Sequence, residues 1–299
     1  MLDTHILVSG KFSLKRINHK MPDNSNSNNY KLCHAKTIDI EQCWEDIRKQ
    51  AEQLAGQESQ LKPLLSDVIM ERECLNTALA ARLARKLARE DMSRDELMPI
   101  LTDIFSSDQQ ITISAAKDMR AIVQRDPACQ IMLEPMLFFK GFLAITTHRI
   151  AHYLWHQDRR ALALYFQSIC SEVFSVDIHP AANLGCGIML DHATSVVMGE
   201  TTIVEDNVSL LHEVTLGGTG KIEGDRHPIV RSGVLIGAGA KILGRVEIGT
   251  GAKVGAGSVV LEDVPAHTTV AGVPAVVVGQ SGEENPAAEM NQNLSCGLI

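Results

Sequence analysis

The chain has 299 residues, 45% of them hydrophobic and 21% charged, a composition that supports one large or two ordinary globular domains with a real core. Its formal net charge of −8 argues against a partner such as nucleic acid, because gripping a phosphate backbone needs a basic face to displace counterions. The most apolar run, MLFFKGFLAI from Met136, is interrupted by Lys140 and is too short to cross a bilayer, so no membrane span is expected.

Residues 1–36 carry Lys11, Lys15, Arg16, Lys20, Lys31 and Lys36 against Asp3 and Asp23, around the polar tract PDNSNSNN. Such a segment cannot bury enough apolar area to order itself, and it matches neither a secretory signal nor a transit peptide; a disordered leader is expected. The seven cysteines, Cys33, Cys43, Cys74, Cys129, Cys170, Cys186 and Cys296, are odd in number, widely spread and never paired as C-x-x-C. That pattern predicts free thiols, no structural zinc and a reducing, cytoplasmic compartment.

From about Thr37 to Cys170 the apolar residues fall three and four apart, as in IEQCWEDIRKQAEQL and LNTALAARLARKLARE, and SRDE at Ser93 offers a capping-box start. This stretch reads as an all-helical domain, and helices with two apolar faces predict packing against a second subunit. His148, His152 and His156 recur at every fourth position, but no carboxylate or cysteine completes a ligand set, so a helix face is expected and not a metal site.

At Val176 the period changes to six. Every sixth residue from Ile178 gives Ile178, Leu184, Leu190, Val196, Thr202, Val208 and Val214, and from Val230 gives Val230, Ile236, Ile242, Ile248, Val254 and Val260. Hexads of this kind mark a parallel β-helix, in which three short strands make each triangular coil and the aliphatic residue points inward. About five coils of ~18 residues are expected. The step from Val214 to Val230 is sixteen residues, not a multiple of six, so GGTGKIEGDRHP leaves the coil as a loop, and loops on rigid scaffolds commonly carry function.

VDIHPAA at Val176, GIMLDHAT at Gly187, VTLGGTGK at Val214, GDRHP at Gly224, IGAGAKILG at Ile236 and AGVPA at Ala271, with RDPA at Arg125, together resemble the serine O-acetyltransferases, a family of hexapeptide-repeat acyltransferases. The likeness spans about residues 38–275. It implies an α + β fold: an all-helical domain (37–170), a left-handed parallel β-helix with an extruded loop (171–276) and a flexible tail (277–299). It also implies direct acetyl transfer from acetyl-CoA to L-serine within a ternary complex, with no permanently bound cofactor.

A serine hydroxyl is a poor nucleophile and needs a base that titrates near neutral pH, which histidine supplies. By resemblance that base is His192, oriented by Asp177, with His227 as a second active-site histidine. Arg226 can grip the substrate carboxylate through paired donors, while Asp126 and Asp191 match family positions that face the ammonium group. Gly218, Thr219, Gly220 and Ala238 are expected along the pantetheine path and Lys253 near phosphate. The resemblance further implies a homotrimer with sites between neighbouring prisms, two trimers joined as a hexamer, feedback inhibition by L-cysteine, and docking of the terminal Ile299 into O-acetylserine sulfhydrylase. The competing readings are an acetyltransferase for a sugar or another amino alcohol, and a silent assembly partner of the sulfhydrylase.

Overall fold

The computed structural model describes residues 38–220 and 223–294, so the leader and Ile299 lie outside the described residues. Helices come first: α1 (Ile40–Gln57), α2 (Lys62–Leu65), α3 (Leu75–Leu87), α4 (Arg94–Ser107), α5 (Gln109–Arg125), α6 (Leu133–Phe138), α7 (Lys140–His156) and α8 (Arg160–Phe174). Their starts follow from local chemistry. Asp39 accepts from the Gln42 amide, Asp108 caps α5 through the Gln110 amide, and Ser93 and Glu96 form the capping box read from SRDE. α7 is apolar on nearly every side and runs through the core, burying Phe142, Ile145, Ile150 and Leu154.

Among the described residues fifteen strands follow: β1 (Val176–Ile178), β2 (Asn183–Leu184), β3 (Met189–Leu190), β4 (Val196–Met198), β5 (Ile203–Val204), β6 (Ser209–Leu210), β7 (Thr215–Gly217), β8 (Ile229–Val230), β9 (Leu235–Ile236), β10 (Lys241–Leu243), β11 (Glu247–Ile248), β12 (Lys253–Val254), β13 (Val259–Val260), β14 (Thr268–Gly272) and β15 (Ala275–Gln280). They stack as three parallel sheets, β1-β4-β7-β10-β13, β11-β8-β5-β2 and β14-β12-β9-β6-β3, and β15 closes the last sheet antiparallel to β14. This is the triangular β-solenoid that the hexads predict, with five levels in the first sheet.

The coils are not uniform. Ile229 pairs with Glu247, eighteen residues on, but Val176 pairs with Val196, twenty residues on, so the first coil is two residues longer. The surplus falls in the turn after Leu190. Each coil also sends two rows inward, not one: Val176, Ala182, Ile188, Val196, Val208 and Val214 lie in one, Ile178, Leu190, Met198, Val204, Leu210 and Leu216 in the other, and all are buried. The six-count from Ile178 therefore crosses from one row to the other at that turn, and it stays apolar because both rows are. The same shift puts Thr202 inside, with its hydroxyl buried and unbonded.

Two further expectations change. Through Leu294 the polar tail is packed: helix α9 (Pro286–Glu289) fully buries Ala287, and the Ser209 hydroxyl donates to the Ala287 carbonyl (2.9 Å). Cys43, Cys74, Cys129 and Cys170 are free thiols, but Cys186 is held in a disulfide, a pairing that scattered spacing could not signal.

Among the described residues the helices and the solenoid belong to one compact unit, in which the expected boundary near residue 170 separates two layers. Several contacts join the layers, three of them deep in the fold. The fully buried Asp118 of α5 takes the Arg149 guanidinium of α7 (2.7 Å) and the Ile188 amide (2.9 Å). Arg125 reaches the Ser209 hydroxyl at 3.1 Å. α7 also lies so close to β3 that a β-carbon on Gly141 would collide with the Leu190 carbonyl oxygen. Among the described residues no helix is long and apolar enough to cross a membrane.

Candidate active site

Of the predicted site residues, Asp191 and His192 lie at one corner of the prism and Gly218, Arg226 and His227 at another, on either side of the first sheet. The first corner is the lengthened turn between β3 and β4. There His192, Ala193 and Ser195 adopt left-handed backbone angles (φ 56°, 59° and 61°), a conformation that costs energy in a residue with a side chain and gathers at functional sites. The turn holds the His192 ring out, with 74% of the side chain exposed, 3.9 Å from the Asp191 carboxylate. The His212 ring of the next coil stands edge-on at 5.8 Å between centroids. Lys140, at the start of α7, bonds the Thr194 hydroxyl and ties the turn to the helices.

The second corner follows β4 in one coil and β7 in the next, and the loop leaves it after β7. Ile203 pairs with Ile229 twenty-six residues on, so the loop adds eight residues to an eighteen-residue coil and returns in register. That register sets Arg226 and His227 directly over Thr201. The Thr201 hydroxyl accepts from the amides of Arg226 (3.0 Å) and His227 (3.1 Å), and it lies 2.9 Å from His227 Nδ1. Arg245, from the following coil, donates to the carbonyls of Thr201 and His227 (both 3.0 Å) and pairs with Asp225 (3.4 Å). The Arg226 guanidinium pairs with Glu200 at 2.6 Å and donates to the Gly224 carbonyl at 3.1 Å. His227 is 7% exposed, and burial, then the neighbouring Arg226 charge, holds its pKa below the ordinary histidine value. The Arg226 bond holds the Glu200 carboxyl below its ordinary value.

Asp177 sits between the corners on the outer face of the first sheet, where it accepts from Gln167 of α8 (2.7 Å). Among the described residues no hydrogen bond or ion pair joins Asp177 to His192, or His192 to His227. Asp126 closes α5 as its C-terminal cap and accepts from the Ala128 amide (2.8 Å). Gly218 lies against the Arg226 carbonyl and the His227 ring, Thr219 and Gly220 are exposed, and Ala238 is half-buried at a corner of the next coil. Lys253 departs from its expected setting. It is 3% exposed and donates to the Asn293 carbonyl (2.7 Å), because the tail and α9 cover the outer face of the last sheet.

The histidine run on α7 passes from the interior at His148, through the half-buried His152, to the exposed His156. His148 is fully buried, His152 Nδ1 lies 2.8 Å from the Pro180 carbonyl, and no group of three or more metal-ligating side chains forms among the described residues. Thr201, Glu200, His179 and Arg245 are the neighbours that sequence reading missed. The twenty-six-residue offset of the loop was the available signal for Thr201.

A solvent-facing imidazole on a strained turn, with an arginine and a second histidine held on a loop, is equipped for proton removal and carboxylate binding. Comparison with known proteins agrees in kind. The family model "Serine acetyltransferase, N-terminal" matches residues 43–147, and the bacterial transferase hexapeptide model, of six repeats, matches residues 227–262. A serine acetyltransferase of Salmonella typhimurium is 49% identical over 257 residues, which cover 86% of this chain and 94% of that protein. A solved serine acetyltransferase in complex with cysteine superposes with a TM-score of 0.84 at 49% identity, over 85% of this chain and 99% of the other. The Brucella abortus enzyme in complex with coenzyme A gives 0.79 at 47% identity, over 82% and 97%. At that identity, along most of both chains, the protein belongs to the serine acetyltransferase family and is an acyltransferase.

Proposed function

We propose that the chain transfers the acetyl group of acetyl-CoA to the hydroxyl of L-serine, giving O-acetyl-L-serine and CoA for cysteine biosynthesis, by direct attack in a ternary complex. His192 takes the hydroxyl proton as the oxygen attacks the thioester carbonyl, Asp177 steadies the imidazolium, and the proton returns to the leaving thiolate. Arg226 and His227 hold the serine carboxylate, with Asp126 and Asp191 near its ammonium group. The observation that carries this reading is the outward presentation of His192 on a left-handed turn, where a ring with no partner closer than Asp191 at 3.9 Å can meet a substrate oxygen.

The division of residues between two corners supports assembly. One prism offers the base at one edge and the arginine at the other, so a complete site forms where the first corner of one copy meets the second corner of another, in a homotrimer paired as a hexamer. Acetyl-CoA is the co-substrate, lying along the glycines of the loop, in keeping with the coenzyme A complex of the Brucella relative. L-cysteine acts as a feedback inhibitor in the serine site, in keeping with the solved cysteine complex. Docking of Ile299 to O-acetylserine sulfhydrylase and a cytoplasmic setting complete the proposal.

The test is thiol release from acetyl-CoA with L-serine, homoserine and simple sugars, for the parent and for His192→Ala. Release with L-serine, lost in His192→Ala, is expected. No release with L-serine above background, or full turnover in His192→Ala, overturns the assignment.

A further inference from the structure

His227 and Thr201 form a unit whose hydrogen bonds can be counted completely. A threonine hydroxyl has one proton and two acceptor lone pairs, whereas a backbone amide can only donate. The amides of Arg226 and His227 both point to Thr201 Oγ1, at 3.0 and 3.1 Å, and occupy both lone pairs. The hydroxyl proton is left facing His227 Nδ1 at 2.9 Å. The Thr201 amide also donates to Nδ1, at 3.2 Å. Two donors aimed at one ring nitrogen leave no room for a proton on it, so the ring proton sits on Nε2.

The opposite edge of the ring is equally constrained. A β-carbon on Gly199 would collide with His227 Nε2, and one on Gly218 would lie 3.4 Å from it, so two glycines leave the slot that this nitrogen occupies. The charged and titratable groups around the ring are Arg226, Glu200, His179 and Arg245. Arg226 and Glu200 are paired with each other, Arg245 binds the His227 carbonyl, and burial holds His179 below its ordinary value as well. Among the described residues around the ring, no unpaired carboxylate stands ready to hold it as an imidazolium.

We propose that Thr201 is a positioning residue that locks His227 as a neutral imidazole with its proton on Nε2, making it a hydrogen-bond donor to the substrate carboxylate beside Arg226 and not a second base. This rests on the placement of Arg226 and His227 in the serine site proposed above. It makes the corner one-directional: both side chains that meet the substrate there only donate. The base chemistry is left to His192.

The experiment uses the full-length enzyme and its acetyl-CoA and L-serine assay. Thr201→Val keeps the shape and the backbone amide but removes the hydroxyl, and should raise the serine KM about 10-fold or more, while kcat and the acetyl-CoA KM change less than about threefold. Thr201→Ser restores the hydroxyl and should return the serine KM to within about threefold of the parent. Nitrogen-15 spectra of the parent at pH 7 should show His227 with Nε2 protonated and Nδ1 bare. An unchanged serine KM in Thr201→Val, failure of Thr201→Ser to restore it, or a His227 ring protonated on Nδ1 each overturns the proposal. His227→Ala separates the two readings. If it keeps the parent's turnover and serine KM, the site assignment itself fails; if it is impaired while Thr201→Val is not, only the role of Thr201 fails.

Discussion

The two corners of the solenoid are built on opposite plans. The His192 corner is shaped from outside the coil: two added residues and three left-handed ones make the turn, Gly141 lets α7 close against Leu190, and Asp118 bonds the coil at Ile188. Its imidazole is nonetheless exposed and almost unpartnered. The His227 corner is shaped by its own loop, which returns in register to saturate Thr201, and its imidazole is buried and bonded. The difference fits a division of labour. A base must exchange a proton and reorient through the reaction, whereas a donor to a carboxylate works best when it is fixed before the substrate arrives.

The largest test of that contrast removes the exposed imidazole. His192→Ala should lower kcat about 10²- to 10⁴-fold with little change in the serine KM, as expected for loss of a general base. An equal rise in KM would place His192 with the binding residues and erase the contrast.

Asp118→Ala attacks the same corner from behind. It leaves the Arg149 guanidinium buried and unpaired and should cost about 3–5 kcal/mol of stability, read as a lower denaturation midpoint. A midpoint equal to the parent's would show that the helices do not brace the first coil. Gly199→Ala strikes the other corner: its new β-carbon overlaps His227 Nε2, so the ring must leave its slot at about 1–3 kcal/mol. The serine KM should rise while the turn at His192 is untouched. An unchanged KM would mean that the slot is not part of the serine site.

How far these features could be read beforehand follows from what each depends on. The solenoid was legible because burial repeats every sixth residue, and the aliphatic row from Val230 to Val260 falls inside as expected. The two-residue surplus at His192 was hidden by a coincidence of composition, since a slip from Leu190 to Val196 moves between two equally apolar rows. The loop announced itself by breaking the period, yet its partner did not. Thr201 resembles any corner residue until the register places it under His227. The cover over Lys253 was not legible, because nothing in a polar tail signals that it lies on the outer face of a sheet. Periodicity reports which way a side chain points along the chain, but not what lies across from it.

The smallest expected effect concerns proton balance across the whole junction. His148, His152, His179 and His227 all have their pKa lowered below 6.5, with burial the leading cause in each. In the unfolded chain these rings take up protons as the pH falls through about 6.5, while in the folded chain they resist doing so. The unfolded state therefore binds more protons in that window, and stability must fall as the pH drops below it. The slope is at most about 1.4 kcal/mol per pH unit for His148, which is fully buried, and smaller for the rings that keep a partner or some solvent. Denaturation at pH 7.5 and 5.5 should show the decline, and His148→Gln should flatten it, because it removes a ring that the fold keeps uncharged. A slope equal to the parent's in that variant would mean that burial in the helix interior does not hold the ring neutral.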